Sequence, residues 1–156
     1  MVYVSEPIPS TIISTMLSTE WDTYSGSIPE PTFVDVNVDT DAAIGRHNFQ
    51  AVDLVLIQPD VTGEQATPRD TFRYWDFKYN LILTIITISG RQRLHDIKQE
   101  IRRILIYKMH DITNNSYQLV RYGGFTELVQ EELRMWKGQI RVTFEDVGKY
   151  HAVETP

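Results

Sequence analysis

The chain of 156 residues contains no cysteine. This absence excludes disulfide bonds, thiolate nucleophiles and cysteine-based zinc sites. Long apolar runs are also missing, because Leu81 to Ile88, the most apolar stretch, is far shorter than the roughly 20 residues of a membrane-spanning helix. The pattern of a signal peptide, a basic region followed by an apolar region, is not found. We therefore expect no membrane partner.

The motifs of common active sites are absent as well. There is no glycine-rich loop followed by Lys and Ser or Thr, no HExxH and no GxSxG. The acidic residues at 38–41 lack the glycine and the ligand spacing of an EF-hand. His110 and Asp111 resemble a base with its orienting carboxylate, although a histidine at a helix end is the plainer interpretation. The sequence thus predicts no enzyme, no metal site and no cofactor.

Basic residues are outnumbered by acidic ones, giving a net charge of −6 and a pI near 5.1. Proteins that wrap DNA regardless of its sequence usually have the opposite balance. The hydrophobic fraction of 42% is that of a globular protein. We predict a single domain over residues 1–156, with an N-terminal arm at 1–9 and a C-terminal tail at 148–156.

The stretch from Phe72 to Ile88 contains no glycine or proline and is rich in β-branched and aromatic residues, which favours a strand. Its second half, from Leu81, is apolar on both faces, whereas its first half is apolar on one face only. At about 3.3 Å per residue the strand would span roughly 55 Å, so we expect it to bend or to protrude.

A helix is predicted to follow from Arg91 to Met109, with Ser89 as its N-cap. Its apolar residues recur at helical spacing, which indicates one buried face. These residues are Leu94, Ile97, Ile101, Ile104 and Leu105. Basic residues line a flank of that face, namely Arg91, His95, Lys98 and Arg102. The charges of Arg91, Lys98 and Arg102 would either be ordinary solvated charges or would meet phosphate or an acidic partner.

The remaining segments predict short elements. Before the long strand we expect a helix from Ser10 to Trp21, strands at Thr32–Val38 and Ala51–Ile57, and a polar connection at Pro59–Pro68. After the helix we expect a strand at Tyr117–Tyr122, a turn at Gly123-Gly124, and a final strand at Trp136–Val147, while Phe125–Leu133 fits either a strand or a helix. The order predicts an α+β fold: a mainly antiparallel sheet of four to six strands, two helices packed on one face, and a long protruding hairpin.

An aromatic cluster marks the start of the long strand. Its members are Phe72, Tyr74, Trp75, Phe77 and Tyr79. Two interpretations stand side by side: packing within the core, or exposure at a contact with another protein.

In its element order the chain resembles the tail-terminator proteins of long-tailed bacteriophages and related viruses. The segments that carry the resemblance are Ser10–Trp21, Pro31–Val38, Val52–Ile57, Phe72–Ile88, Arg91–Met109 and Trp136–Val147. The resemblance implies a structural, non-enzymatic virion protein that forms a hexameric ring, stops growth of the tail tube and joins the tail to the head. Its partners would be itself, tail-tube proteins and neck or connector proteins, with DNA passing through the lumen without specific binding. It would be found in the virion, and in the host cytoplasm before assembly.

The same resemblance assigns roles to the two residue groups. The aromatic cluster would form ring contacts, and Arg91, Lys98 and Arg102 would face the lumen or an acidic partner. Three other interpretations remain: a head-completion or neck connector protein, a ferredoxin-like domain that binds a small ligand, and a nucleic-acid-binding module.

Overall fold

The computed structural model describes residues 8–21, 28–35, 53–68, 74–109, 119–128 and 135–150, with the backbone only for residues 74 and 146–150. In chain order the elements are α1 (Pro9–Glu20), β1 (Thr32–Asp35), β2 (Leu54–Pro68), β3 (Tyr74–Thr87), α2 (Arg91–Tyr107), β4 (Leu119–Leu128) and β5 (Trp136–Tyr150). Neither of these helices is long and apolar enough to cross a membrane.

The strands form one five-stranded sheet in the order β1-β2-β3-β5-β4. β1 runs parallel to β2, and the other three pairs are antiparallel. Both helices pack on the same face of the sheet, where they share one apolar core with β2, β3, β4 and β5. The predicted α+β fold is therefore confirmed, and so is the pairing of β2 with β3 as a hairpin.

The core follows the predicted apolar patterns. All five apolar residues predicted for the inner face of α2 are buried, and they pack against Leu83 of β3 and Ile140 of β5. Trp21, just after α1, is fully buried. Its indole Nε1 donates a hydrogen bond to the carbonyl of Ile28 at 2.8 Å, and its ring meets the ring of Phe33 edge-on at 5.7 Å.

A second, smaller cluster lies on the opposite face of the sheet. Leu54, Leu56 and Ile86 are fully buried there, with Val34 and Met135 packed against them. This cluster confirms that the C-terminal half of β3 is apolar on both faces, as the sequence predicts.

The predicted N-caps of both helices are wrong. α1 begins at Pro9, where the fixed φ of proline suits the first turn, so Pro9 belongs to the helix rather than to an arm, and Ser10 is buried inside it. α2 begins after Gly90, whose φ of 105° is open to glycine and strained for other residues. Ser89 instead donates its backbone N–H to the hydroxyl of Thr87 at 3.1 Å.

The prediction of a polar connection at Pro59–Pro68 is also wrong. Residues 64–68 pair with residues 75–79 of β3, and the register shifts between Pro59 and Glu64. Gly63, with φ of 55°, lies in this bulge. Pairing with the long strand β3 thus outweighs the turn-like composition of this segment.

The glycine pair at 123–124 is a bulge within β4, not the predicted turn. The register with β5 shifts between Tyr122 and Phe125, and Gly124 has φ of 116°. Residues 125–128 are therefore strand, while 129–133 lie outside the described residues. β5 continues to Tyr150, so the first part of the predicted tail is strand as well.

Candidate functional site

The basic flank of α2, defined here as Arg91, Lys98 and Arg102, faces the edge strand β4. Arg91 forms a two-pronged ion pair with Glu127, with Nε to Oε1 at 2.9 Å and Nη2 to Oε2 at 3.0 Å. The ammonium of Lys98 lies over the ring of Phe125, 5.4 Å from its centroid. The structure thus brings the three predicted residues onto one surface, each in a different setting.

His95 completes this surface. Its Nε2 is 3.5 Å from Oε2 of Glu127, and its ring meets the ring of Phe125 edge-on at 5.8 Å. Hydrogen bonding from Arg91 is the largest influence that lowers the pKa of Glu127, followed by the charge of Arg91 and by His95. Glu127 is therefore held as a carboxylate, and it compensates Arg91 on this flank.

Arg102 lies near Tyr122 of β4. Burial raises the pKa of the Tyr122 hydroxyl, and the positive charge of Arg102 partly opposes that rise. Arg102 is exposed, and in the described part of the chain it forms no ion pair. It can therefore meet an anion or an acidic surface without first breaking an ion pair to any described carboxylate.

Phe125 owes its position to a glycine on the neighbouring strand. A Cβ built on Gly138 would lie 2.3 Å from Cε2 of Phe125, so the ring occupies the space that a side chain would need. The ring in turn supports His95 and Lys98. Sequence reasoning missed this pair, since a lone glycine within a strand signals a close approach without naming the partner.

The aromatic cluster is divided between the two interpretations. Tyr79 packs against the core and donates its hydroxyl to Oε2 of Glu64 at 2.6 Å. Trp75 and Phe77 lie closer to the start of β3. Their rings are stacked with centroids 6.5 Å apart, and both side chains are half-buried. Phe72 lies outside the described residues, and only the backbone of Tyr74 is described.

Trp75 and Phe77 belong to a part of the sheet that we call the distal extension: residues 58–68 of β2, 75–80 of β3 and 145–150 of β5. None of the described side chains in its β2 and β3 segments is buried. At about 3.3 Å per residue, the β3 segment alone extends about 20 Å. β5 pairs with β3 along its length, so the predicted long hairpin of β2 and β3 forms part of a three-stranded ribbon.

Among the described residues, both long edges of the sheet lack a neighbouring strand over part of their length. β1 covers β2 only from Leu54 to Ile57. Beyond Ile57, no described strand lies on the outer side of β2, and none lies on the outer side of β4. At the start of β4 the N–H of Val120 donates to the carbonyl of Met109 at 3.1 Å, so the open edge begins after Val120.

The bulge in β2 leaves one apolar side chain exposed to solvent. The carboxylate of Asp60 accepts the N–H of Val61 at 2.7 Å and the hydroxyl of Thr62 at 3.3 Å. Asn80 donates to the Thr62 hydroxyl at 3.1 Å. Val61 is fully exposed at this fixed position. The bulge and Pro59 both interrupt strand pairing on this edge.

A buried ion pair joins the opposite end of β2 to α2. Asp53 accepts Nε of Arg93 at 2.7 Å and the hydroxyl of Thr87 at 2.6 Å, and Nη2 of Arg93 donates to the carbonyl of Pro29 at 2.7 Å. The two charged side chains are only 14% and 15% exposed. This network ties α2 to the sheet, which is a structural role.

Within the described residues no group of His, Asp or Glu side chains is arranged to hold a metal ion. Of the residues considered from sequence, His110, Asp111 and the acidic residues at 38–41 lie outside the described ranges. The described surface is therefore best characterised as two open sheet edges, one of them beside the basic flank. No protein-family model matches the chain, and no curated protein is significantly similar to it.

Proposed function

We propose that this chain is the subunit of a ring-shaped structural assembly, of the tail-terminator type that its element order resembles. The observation that carries the proposal is a pair of sheet edges, on opposite sides of one subunit, that no described strand covers. An unpaired strand edge presents a row of backbone donors and acceptors that readily pairs with another chain. A subunit with a different edge on each side can bind a copy on both sides, and such head-to-tail contacts close into rings.

The distal extension supports the same function. It carries Trp75 and Phe77 beyond the part of the sheet that the helices cover. Half-buried aromatic side chains on an extended ribbon suit contact with a neighbouring subunit or with the tail tube, because aromatic residues are enriched at protein interfaces. Trp75 and Phe77 are therefore the members of the aromatic cluster that we propose for assembly contacts.

The basic flank is also consistent with a ring-forming subunit. Arg102 and Lys98 carry positive charge that no described carboxylate compensates. In a ring they face either a neighbouring subunit or a lumen through which DNA passes without specific binding. In the lumen their role would be to offset the repulsion between an acidic protein and the phosphate backbone.

Light scattering coupled to size-exclusion chromatography tests the proposal, together with electron microscopy of the purified protein. We expect rings with a central hole, either from the protein alone or after addition of tail-tube subunits. A protein that stays monomeric at high concentration and also in the presence of tube subunits would overturn the proposal.

A neck connector protein is the nearest alternative, since it too forms part of the virion and has no catalytic site. Purified tails and empty heads distinguish the two roles. A terminator binds to the tail tube, whereas a connector binds to the head. Cosedimentation of the protein with each particle separately gives the answer.

A further inference from the structure

The two open edges differ in charge. On β2, the segment from Pro59 to Pro68, which has no described strand on its outer side, contains Asp60 and Glu64 and no basic residue. Beside β4, Arg91 is compensated by Glu127. Lys98 and Arg102 are paired with no carboxylate in the described part of the chain. One edge is thus acidic, and the other retains uncompensated positive charge.

Glu64 of the acidic edge and the basic flank lie on the same face of the sheet. Glu64 is opposite Tyr79, and Tyr79 packs against the core under the helices. Directly opposed residues share a face, so Glu64 projects on the face that carries α2. A second copy that continues the sheet in the same orientation would bring its α2 to the side of Glu64.

Glu64 and the basic flank also lie at similar positions along the strand direction. The registers place Glu64, Tyr79, Phe144 and Val120 in one row across β2, β3, β5 and β4. Lys98 lies over the ring of Phe125 on β4. Arg102 is one helical turn further along the same flank of α2, which places it near Tyr122, two residues from that row along β4. Copies joined through Glu64 and Arg102 would therefore need little displacement along the strands, which favours a closed ring over a helical filament.

Strand direction is compatible with this contact. β2 is antiparallel to β3, β3 to β5, and β5 to β4, so β2 and β4 run in opposite directions. A copy added head-to-tail therefore forms an antiparallel pair across the new contact. The N–H of Val120 is already engaged, and the bulge after Pro59 interrupts β2. At the register that brings Glu64 beside Tyr122, backbone pairing is thus confined to Glu64 with Tyr122 and Gln65 with Arg121.

We infer that β2 of one copy adds to β4 of the next copy, with the carboxylate of Glu64 facing Lys98 and Arg102 of that copy. The occupant is a second copy of this chain, because each subunit offers one acidic edge and one basic flank on opposite sides of a single sheet. The inference rests on the proposed ring and specifies its contact.

Charge reversal tests the electrostatic part. Arg102→Glu places like charges together and should raise the concentration for half-assembly at least about tenfold, which corresponds to about 1.4 kcal/mol. Adding Glu64→Lys to that variant should restore assembly in part. Gln99→Glu, at an exposed position on the same helix, is the control and should assemble like the unchanged protein. Thermal unfolding of each variant at low concentration shows whether the subunit itself is intact.

Cross-linking tests the edges directly, and the absence of native cysteine makes it clean. Gln65→Cys on β2 and Arg121→Cys on β4 place thiols at exposed positions on the face away from the helices. With a short thiol-reactive cross-linker, the double variant should give a ladder of covalent oligomers up to the full ring. Each single variant should give none, because a head-to-tail contact never brings two identical residues together.

The outcomes separate this inference from the proposed function. Rings that survive Arg102→Glu, combined with a double-cysteine variant that gives no ladder, would overturn the inference and leave the ring standing. A covalent dimer from either single-cysteine variant would also overturn it, since that contact would be two-fold symmetric. If the unchanged protein forms no ring even with tube subunits, the proposed function itself fails.

Discussion

Gly138 is the residue on which the packing of the α2–β4 surface depends most directly. Its missing side chain leaves room for the ring of Phe125. Gly138→Ala should destabilise the subunit by about 1–3 kcal/mol, the usual cost of overpacking a well-packed core. Urea unfolding of the purified subunit measures this cost.

Removing the ring provides the matched control for that substitution. In a Phe125→Ala background the added methyl group enters space that the ring has vacated, so Gly138→Ala should cost much less there than in the unchanged protein. The double-mutant cycle isolates this coupling. Equal costs in both backgrounds would show that contact with Phe125 is not the reason for glycine at this position.

Two arginines near the start of α2 offer a comparison between a buried and an exposed ion pair. Arg93 and its partner Asp53 are almost enclosed, whereas the side chain of Arg91 is 64% exposed. Arg93→Met leaves the Asp53 carboxylate buried with the Thr87 hydroxyl. We expect a loss of about 3 kcal/mol in the free energy of unfolding, the usual cost of breaking a buried pair from one side.

Arg91→Met is the control on the same helix, and its loss should be clearly smaller because water solvates the exposed pair. Denaturant unfolding of both variants provides the measurement. Similar losses for the two variants would mean that burial does not set the strength of these pairs.

Glu127 should make part of the stability dependent on pH. Its pKa is lowered in the folded state, chiefly by the hydrogen bond from Arg91. The unfolded state therefore binds the proton more readily, so the contribution is present above the ordinary carboxyl pKa and is lost as pH falls through the lowered value. Glu127→Gln should melt at a lower temperature than the unchanged protein at about pH 7, and the gap should close at about pH 2.5. A gap of the same size at both pH values would contradict this assignment.

At the scale of elements, the spacing of apolar residues predicts those helices and strands that bury an apolar face. The long strand β3, the helix α2 and the last strand β5 were recognised because their apolar residues repeat at strand or helix spacing over many residues. Both helices start differently from the prediction, since serine was expected as the cap at each. In the structure α1 starts at a proline, and α2 starts after Gly90, which has a positive φ. Local capping signals compete with one another, and the sequence does not say which one prevails.

For two glycine-containing segments the structure predicted from sequence is wrong, and the reason is the same for both. The stretch Pro59–Pro68 and the pair Gly123-Gly124 have the composition of turns, yet each is a bulge inside a paired strand. Composition reports what a segment does alone, whereas a neighbouring strand supplies backbone partners that a local pattern cannot reveal. Of the interaction surface, the basic flank was identified from helical spacing. Its partners Glu127 and Phe125 were not, because they come from a distant strand.

At the scale of the whole molecule, the sheet has two halves that differ in side-chain burial. In the half under the helices, residues Leu81 to Thr87 of β3 are buried apart from the half-buried Ile82. In the distal extension no described side chain of β2 or β3 is buried. Backbone amides open at a free energy set by the packing around them. Those of residues 75–80 should therefore exchange hydrogen through local opening, and those of residues 81–87 only when the subunit unfolds.

Hydrogen exchange followed by mass spectrometry at two protein concentrations connects this difference to assembly. At low concentration, peptides covering residues 58–68 and 75–80 should exchange at least about tenfold faster than the peptide covering 81–87. At a concentration where rings form, the 58–68 peptide should slow because its open edge becomes paired. The 81–87 peptide, already limited by its own subunit, should change least. Equal protection of both halves at low concentration would mean that the distal extension unfolds as one unit with the core, and that its exposed edge needs no neighbour to hold its shape.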